Sequence, residues 1–128
     1  MDRDPTKPCS LVTADQLSQA DPTPGMTRQL AVHGDGMWAG TVDTEPRATS
    51  GWHHHGEHET TLFIVSGRMR MESGPHGQDV VEAGPGDFLR VPAGAVHRES
   101  NPTDSPARAV IVRCGTGQPT YNVDAPAR

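Results

Sequence analysis

The stretch Gly86-Asp87-Phe88-Leu89-Arg90-Val91-Pro92-Ala93-Gly94-Ala95-Val96-His97-Arg98-Glu99-Ser100-Asn101 holds two short alternating runs parted by Pro-Ala-Gly. Proline has no N–H to give a ladder, and glycine admits backbone angles that other residues avoid, so Pro92-Ala93-Gly94 breaks one strand from the next. In the first run Leu89 and Val91 face one way and Phe88 and Arg90 the other, because strand side chains alternate. His97 falls one residue inside the second run. Strand, sharp break, strand is the pattern from which the rest of the chain is read.

Working outward, the same pattern recurs. Strands are predicted over 28–32, 37–43, 51–55, 61–65, 68–72, 79–82, 87–91, 96–100, 109–113 and 120–123. Between them lie turn sequences: His33-Gly34-Asp35-Gly36, Ser66-Gly67, a polar loop Ser73 to Gly77, and Ala83-Gly84-Pro85-Gly86. The 14 Gly and 12 Pro in 128 residues are the punctuation that short strands need. Ten short strands at regular spacing predict an all-β sandwich or barrel with antiparallel pairing. A 3.6-residue apolar stripe of core-helix length is missing; the segment 10–20 has room for one or two turns of peripheral helix, capped at Ser10. The mass of 13.7 kDa predicts one domain with a modest core. It is read as an N-terminal arm over 1–25, a barrel over 26–124 and a tail over 125–128.

A net charge of −5 argues against nucleic acid, which requires a clustered basic surface. Arg68 and Arg70 share a strand face and read as solvated. No apolar run approaches the roughly 20 residues that span a bilayer. The N-terminus lacks the apolar segment of a secretory leader, so the expected compartment is cytoplasmic. Cys9 and Cys114 are too few for a disulfide framework and are expected as free thiols.

Four of the seven histidines fall within six positions, His53, His54, His55 and His58, with Glu57 and Glu59 interleaved. Alternation puts His53 and His55 on one face, about 6 to 7 Å apart along the backbone, and His54 on the other. Imidazole with carboxylate is the ligand set of a metal site that keeps a coordination position open. His97, about 40 residues on, can share that metal only if the fold brings its strand to theirs. His33 and His76 sit beside turn glycines and read as surface residues.

The segment 86–101 resembles the second cupin motif at each fixed place: Gly86, Pro92, Gly94, His97 and Asn101. The first motif asks for Gly, five residues, His-x-His, then Glu after three or four residues, then Gly after six more. Here His53-His54-His55 supplies the pair, Glu59 follows after three residues and Gly67 closes the strand one place late. Arg47 stands where the upstream Gly is expected, and the longer spacing would put the carboxylate position on Thr60. The chain is therefore similar to a small single-domain cupin. The resemblance implies a double-stranded β-helix, or jelly-roll, barrel. It also implies one divalent metal ion (iron, manganese, nickel or zinc) held by His53, His55, Glu59 and His97. A bulge is needed to turn Glu59 inward, and Glu57 and His58 are its rivals as fourth ligand.

Cupins include oxygenases, isomerases, cyclases and non-catalytic binders, so the fold does not name the reaction. The resemblance implies a small organic molecule bound at the metal, which serves as Lewis acid or oxygen-binding centre; the alternative is a binding or sensing module without turnover. Glu57 and His58 are acid/base candidates if they reach the pocket. Met37, Trp38 and Arg90 are placed near the barrel mouth, with Arg90 a candidate to hold an anionic substrate. Trp52, Phe63, Met71 and Phe88 are expected in the core. A homodimer through strand faces bearing Leu30, Val32, Val110 and Val112 is the expected assembly.

Overall fold

The computed structural model describes residues 4–20 and 23–127. They form eleven strands: β1 (Ser18–Gln19), β2 (Met26–Gly34), β3 (Met37–Thr44), β4 (His53–His54), β5 (Glu59–Ser66), β6 (Met69–Ser73), β7 (Asp79–Ala83), β8 (Phe88–Val91), β9 (Arg98–Ser100), β10 (Ala107–Cys114) and β11 (Tyr121–Asn122). The ten predicted strands are all present. β1 is additional: it lies within the segment read as an arm and pairs with β2, Ser18 against Leu30. The expected peripheral helix is a single 3-10 turn at Ala14–Gln16, where Gln16 Oε1 accepts the Thr13 N–H at 2.9 Å. Among the described residues no helix is long and apolar enough to cross a membrane. Cys9 and Cys114 are exposed free thiols.

One layer is a six-stranded sheet in the order β1-β2-β3-β10-β5-β8. The opposing layer combines a three-stranded sheet, β7-β6-β9, with the pair β4-β11. Single antiparallel bridges, Thr49 to Ser100 and His53 to His97, join these two pieces edge to edge. Every pairing between strands is antiparallel. Two facing antiparallel sheets with these crossovers are the double-stranded β-helix.

Alternation fills the space between layers. Leu62, Ile64, Leu89, Val91, Ala109 and Ile111 from the large sheet meet Met69, Met71 and Ala83 from the small one, all buried. The same alternation sends Phe63 and Phe88 outward, where their rings pack at 5.0 Å and Phe88 remains 69% exposed. They belong to the outer face and not to the core expected for them. Trp52 is half-buried, with the Arg98 guanidinium 4.7 Å over its ring.

Two motif positions are structural. Gly67 has φ 77° at the corner where the chain leaves one sheet for the other, and a Cβ there would come within 2.6 Å of Pro106 O. Asn101 is 1% exposed and ties the 101–105 loop: its Nδ2 donates to Ser105 O at 2.7 Å, and its Oδ1 accepts the Thr103 N–H at 3.0 Å.

Candidate metal centre

His53 and His97 are direct cross-strand partners that exchange both backbone hydrogen bonds, His53 N–H to His97 O at 3.0 Å and the reverse at 2.9 Å. His55 lies two residues along from His53 on the same face. The three rings therefore meet, with centroids 4.3 to 5.0 Å apart, and each residue is at most 5% exposed. One ring nitrogen from each lies within 4.8 Å of the others.

Their tautomers are fixed by the backbone. His53 Nδ1 faces Gly51 O, His55 Nδ1 faces Pro119 O and His97 Nδ1 faces Ala95 O, each at 2.9 Å. A carbonyl oxygen only accepts, so Nδ1 carries the proton and each neutral ring keeps its lone pair on Nε2. Burial pushes the His55 imidazole down to about 3, with the Arg113 charge acting in the same direction and the Pro119 carbonyl opposing. Burial lowers His97 as well, against the opposing charge of Glu99. Three buried imidazoles whose Nδ1 atoms are committed to backbone carbonyls, leaving Nε2 as the ligand atom, are a donor set that can hold a metal ion.

The structure does not bring Glu59 to this cluster. β5 pairs with β8 without interruption, Thr60 against Val91 and Thr61 against Arg90; the bulge on the β10 side lies at Arg108/Ala109, the far end of the strand. Thr60 therefore points inward at 2% exposure and accepts the Arg113 Nε–H at 3.4 Å. Glu59 is exposed and binds Arg90 at 2.5 Å. That pair also removes Arg90 from the barrel mouth. Glu57 is exposed too. His58 is buried, its Nδ1 on His55 O at 3.1 Å. His54 points away from the cluster and stacks on Tyr121, centroids 4.9 Å apart.

Two adjoining cavities open on the histidines. The smaller, about 250 Å³, contains His53, His55, Ser50, Thr120 and Asn122; the larger, about 460 Å³, contains His58, Trp38, Met37 and Gly117. Arg28 and Arg113 line both. Arg113 lies 5.5 Å over the Trp38 ring, and Arg28 approaches the buried Glu99 at 3.5 Å.

Arg28, Glu99 and Arg113 were not singled out as site residues from sequence. Glu99 alone had a signal there, being two residues beyond His97 and so on its face.

A family model described as "Cupin domain" matches residues 40–113, more than half of the chain. Among solved structures the chain is similar to the polyketide cyclase RemF from Streptomyces resistomycificus, at TM-score 0.74 and 20% identity over 90% of this chain and 85% of that one. KdgF from Halomonas sp. gives TM-score 0.72 and 19% identity over 86% and 96%. A sugar phosphate isomerase of the cupin superfamily from Silicibacter pomeroyi gives 0.70 and 23% over 90% and 82%. No curated protein sequence matches the chain. A barrel of this topology, three histidines where the two motifs put them, and the matched model together make this chain a member of the cupin family.

Proposed function

We propose that this cupin is a metal-dependent enzyme converting a small organic molecule at the mouth of its barrel. One observation carries the reading: three buried imidazoles offer their lone pairs to one another's vicinity beside cavities large enough for a small ligand. A divalent ion held by His53, His55 and His97 supplies Lewis acidity toward a ligand oxygen. The chain's own groups do the rest. Arg28 and Arg113 orient oxygen-bearing or anionic substituents between the two cavities. Trp38 and Met37 give the ligand body an apolar wall. His58 is the proton carrier: its Nδ1 is committed to His55 O, leaving Nε2 as the basic atom in the larger cavity. The cyclase and isomerase among the similar structures support a reaction of this kind.

The proposal includes a homodimer through the outer face of the six-stranded sheet. Phe88, Phe63 and Val110 form one cross-strand row there, and Arg90, Thr61, Val112, Ala39 and Val32 the next.

The test begins with metal content. Wild type offered iron, manganese, nickel and zinc is expected to retain one equivalent, and His55→Ala and His97→Ala to lose most of it, with His54→Ala unchanged. NMR in deuterium oxide then follows keto and hydroxy acids for exchange beside the carbonyl. No stoichiometric metal in wild type, or equal loss in His54→Ala, sinks the metal centre; a ligand retained without chemical change replaces enzyme with binding module.

A further inference from the structure

Trp38, Arg113 and Thr60 lie directly opposite one another across β3, β10 and β5. They form one cross-strand row on the inward side of the large sheet, the side that Ile111 and Leu62 also face. Arg113 is held from both neighbours in that row. Its Nε–H donates to Thr60 Oγ1 at 3.4 Å, and its guanidinium lies 5.5 Å over the Trp38 ring. Thr60, 2% exposed, occupies the place that the longer motif spacing gives to a carboxylate. An acid there would pair with Arg113 and cancel its charge; a hydroxyl orients the guanidinium without cancelling it.

The row ends at the boundary of the two cavities, where Arg28 and Arg113 line both. Among the described residues lining the smaller cavity there is no carboxylate, and His53 and His55 stand on its wall. The larger offers Trp38, Met37 and Pro119 as apolar surface. Its volume of about 460 Å³ falls in the range of about 300 to 1,000 Å³ usual for small-ligand sites. A ligand that satisfies both cavities has a charged head and an apolar body. Guanidinium groups recognise planar oxyanions through paired N–H donors. Glu99 already stands 3.5 Å from Arg28, and its negative charge favours one further charge there over the two of a phosphate monoester.

We infer that the substrate is an organic monocarboxylate with an apolar body, anchored by Arg113 and Arg28, and that Thr60 and Trp38 are positioning residues that aim Arg113. This substrate class rests on the function proposed above. The probes are 3-phenyllactate, its primary amide and phenyl phosphate. Each is titrated by calorimetry into the full-length chain after chelator treatment, so that no bound cation contributes to the preference. Wild type is expected to bind the acid at least about tenfold tighter than the amide, and tighter than the phosphate. Arg113→Gln is expected to bring acid and amide to within about twofold of each other. Thr60→Val, isosteric but without an acceptor, is expected to cut the preference by about threefold or more, and Thr60→Ser to keep it. A merely structural role would lower both affinities together and leave their ratio unchanged. The two Thr60 variants carry the test should Arg113→Gln unfold. No binding of the acid, equal affinity for acid and amide, tighter binding of phenyl phosphate, or a wild-type ratio in Arg113→Gln or Thr60→Val overturns the assignment. Zinc retention by the same wild-type preparation is measured separately. Zinc retained without a carboxylate preference removes this substrate class alone, whereas the preference without zinc upholds the anchor and removes the metal centre.

Discussion

At the scale of single residues, each cluster histidine is oriented by a backbone carbonyl and not by another side chain, so ring orientation is set by the fold itself. Burial holds His55 neutral in the folded protein down to about 3, against the value near 6.5 of an unfolded histidine, and lowers His97 in the same direction. Below that pH the unfolded chain takes up protons first. The stability that the neutral His55 ring represents is therefore complete above about pH 6.5 and is lost progressively toward pH 3, by up to about 1.4 kcal/mol per pH unit; His97 acts in the same direction. Urea midpoints of chelator-treated protein are expected to fall between pH 7 and 5, and to fall less steeply in His55→Gln. Equal slopes in the two proteins would contradict the neutral assignment. Legibility at this scale was uneven. His53, His55 and His97 were readable because period-two alternation and motif spacing agree. Glu59 was misplaced by one residue: Thr60, Leu62 and Ile64 point inward, so Glu59 points outward, and the bulge that would have rescued it occurs elsewhere. Arg47 gives the converse lesson. It stands at the motif's glycine position and does hold φ 63°, fastened by hydrogen bonds to Asp104 and Pro102. The motif named the backbone need even where the residue type departed from it.

At the scale of elements, β11 and the segment leading into it matter most to the site. The run 115–122 lines both cavities, supplies the Pro119 carbonyl to His55 and pairs with β4, Tyr121 against His54. Tyr121 fits against the turn after His55 because residue 56 is glycine: φ there is 58°, and a Cβ would meet the Tyr121 ring at 2.7 Å. Tyr121 thus holds β4 and the Pro119 carbonyl together. Tyr121→Ala is expected to weaken metal affinity by about tenfold while the thermal unfolding of the metal-free barrel moves little. Tyr121→Phe is expected to restore it, since the ring makes the contacts. Competition with a chromophoric chelator measures both, and an unweakened alanine variant would refute the role. Sequence showed a strand here but not its task, because a carbonyl acceptor carries no side-chain signature. Arg28 and Arg113 were hidden for a related reason: they reach the same cavities only through β2, β3 and β10 packing side by side.

At the scale of the whole molecule, the two faces of the large sheet have separate employments. The inner face packs the core and borders the cavities. The outer face carries Phe88, Val32, Val112 and Val110, 69, 43, 37 and 36% exposed, with the opposite-charge pairs Glu59–Arg90 and Asp43–Arg108 among them. The bulge between Leu30 and Val32 puts Leu30 in the row of buried Ile111 and Val32 in the row of Val112, so the two do not share a face as the sequence pattern implied. Apolar rows interspersed with both signs of charge are self-complementary under a two-fold axis. Light scattering is expected to give twice the chain mass, and Val112→Arg to give a monomer that keeps its metal. A wild-type monomer at micromolar concentration would end the dimer proposal.

The dependence of His55 on the Pro119 carbonyl carries a temporal meaning. During synthesis, both halves of the histidine triad emerge from the ribosome well before the acceptor that steadies one of them. On the proposed function, ion binding then waits until residues 119–122 have docked. A fusion partner attached close behind that segment would be sensed at the cation, despite the sequence distance between them.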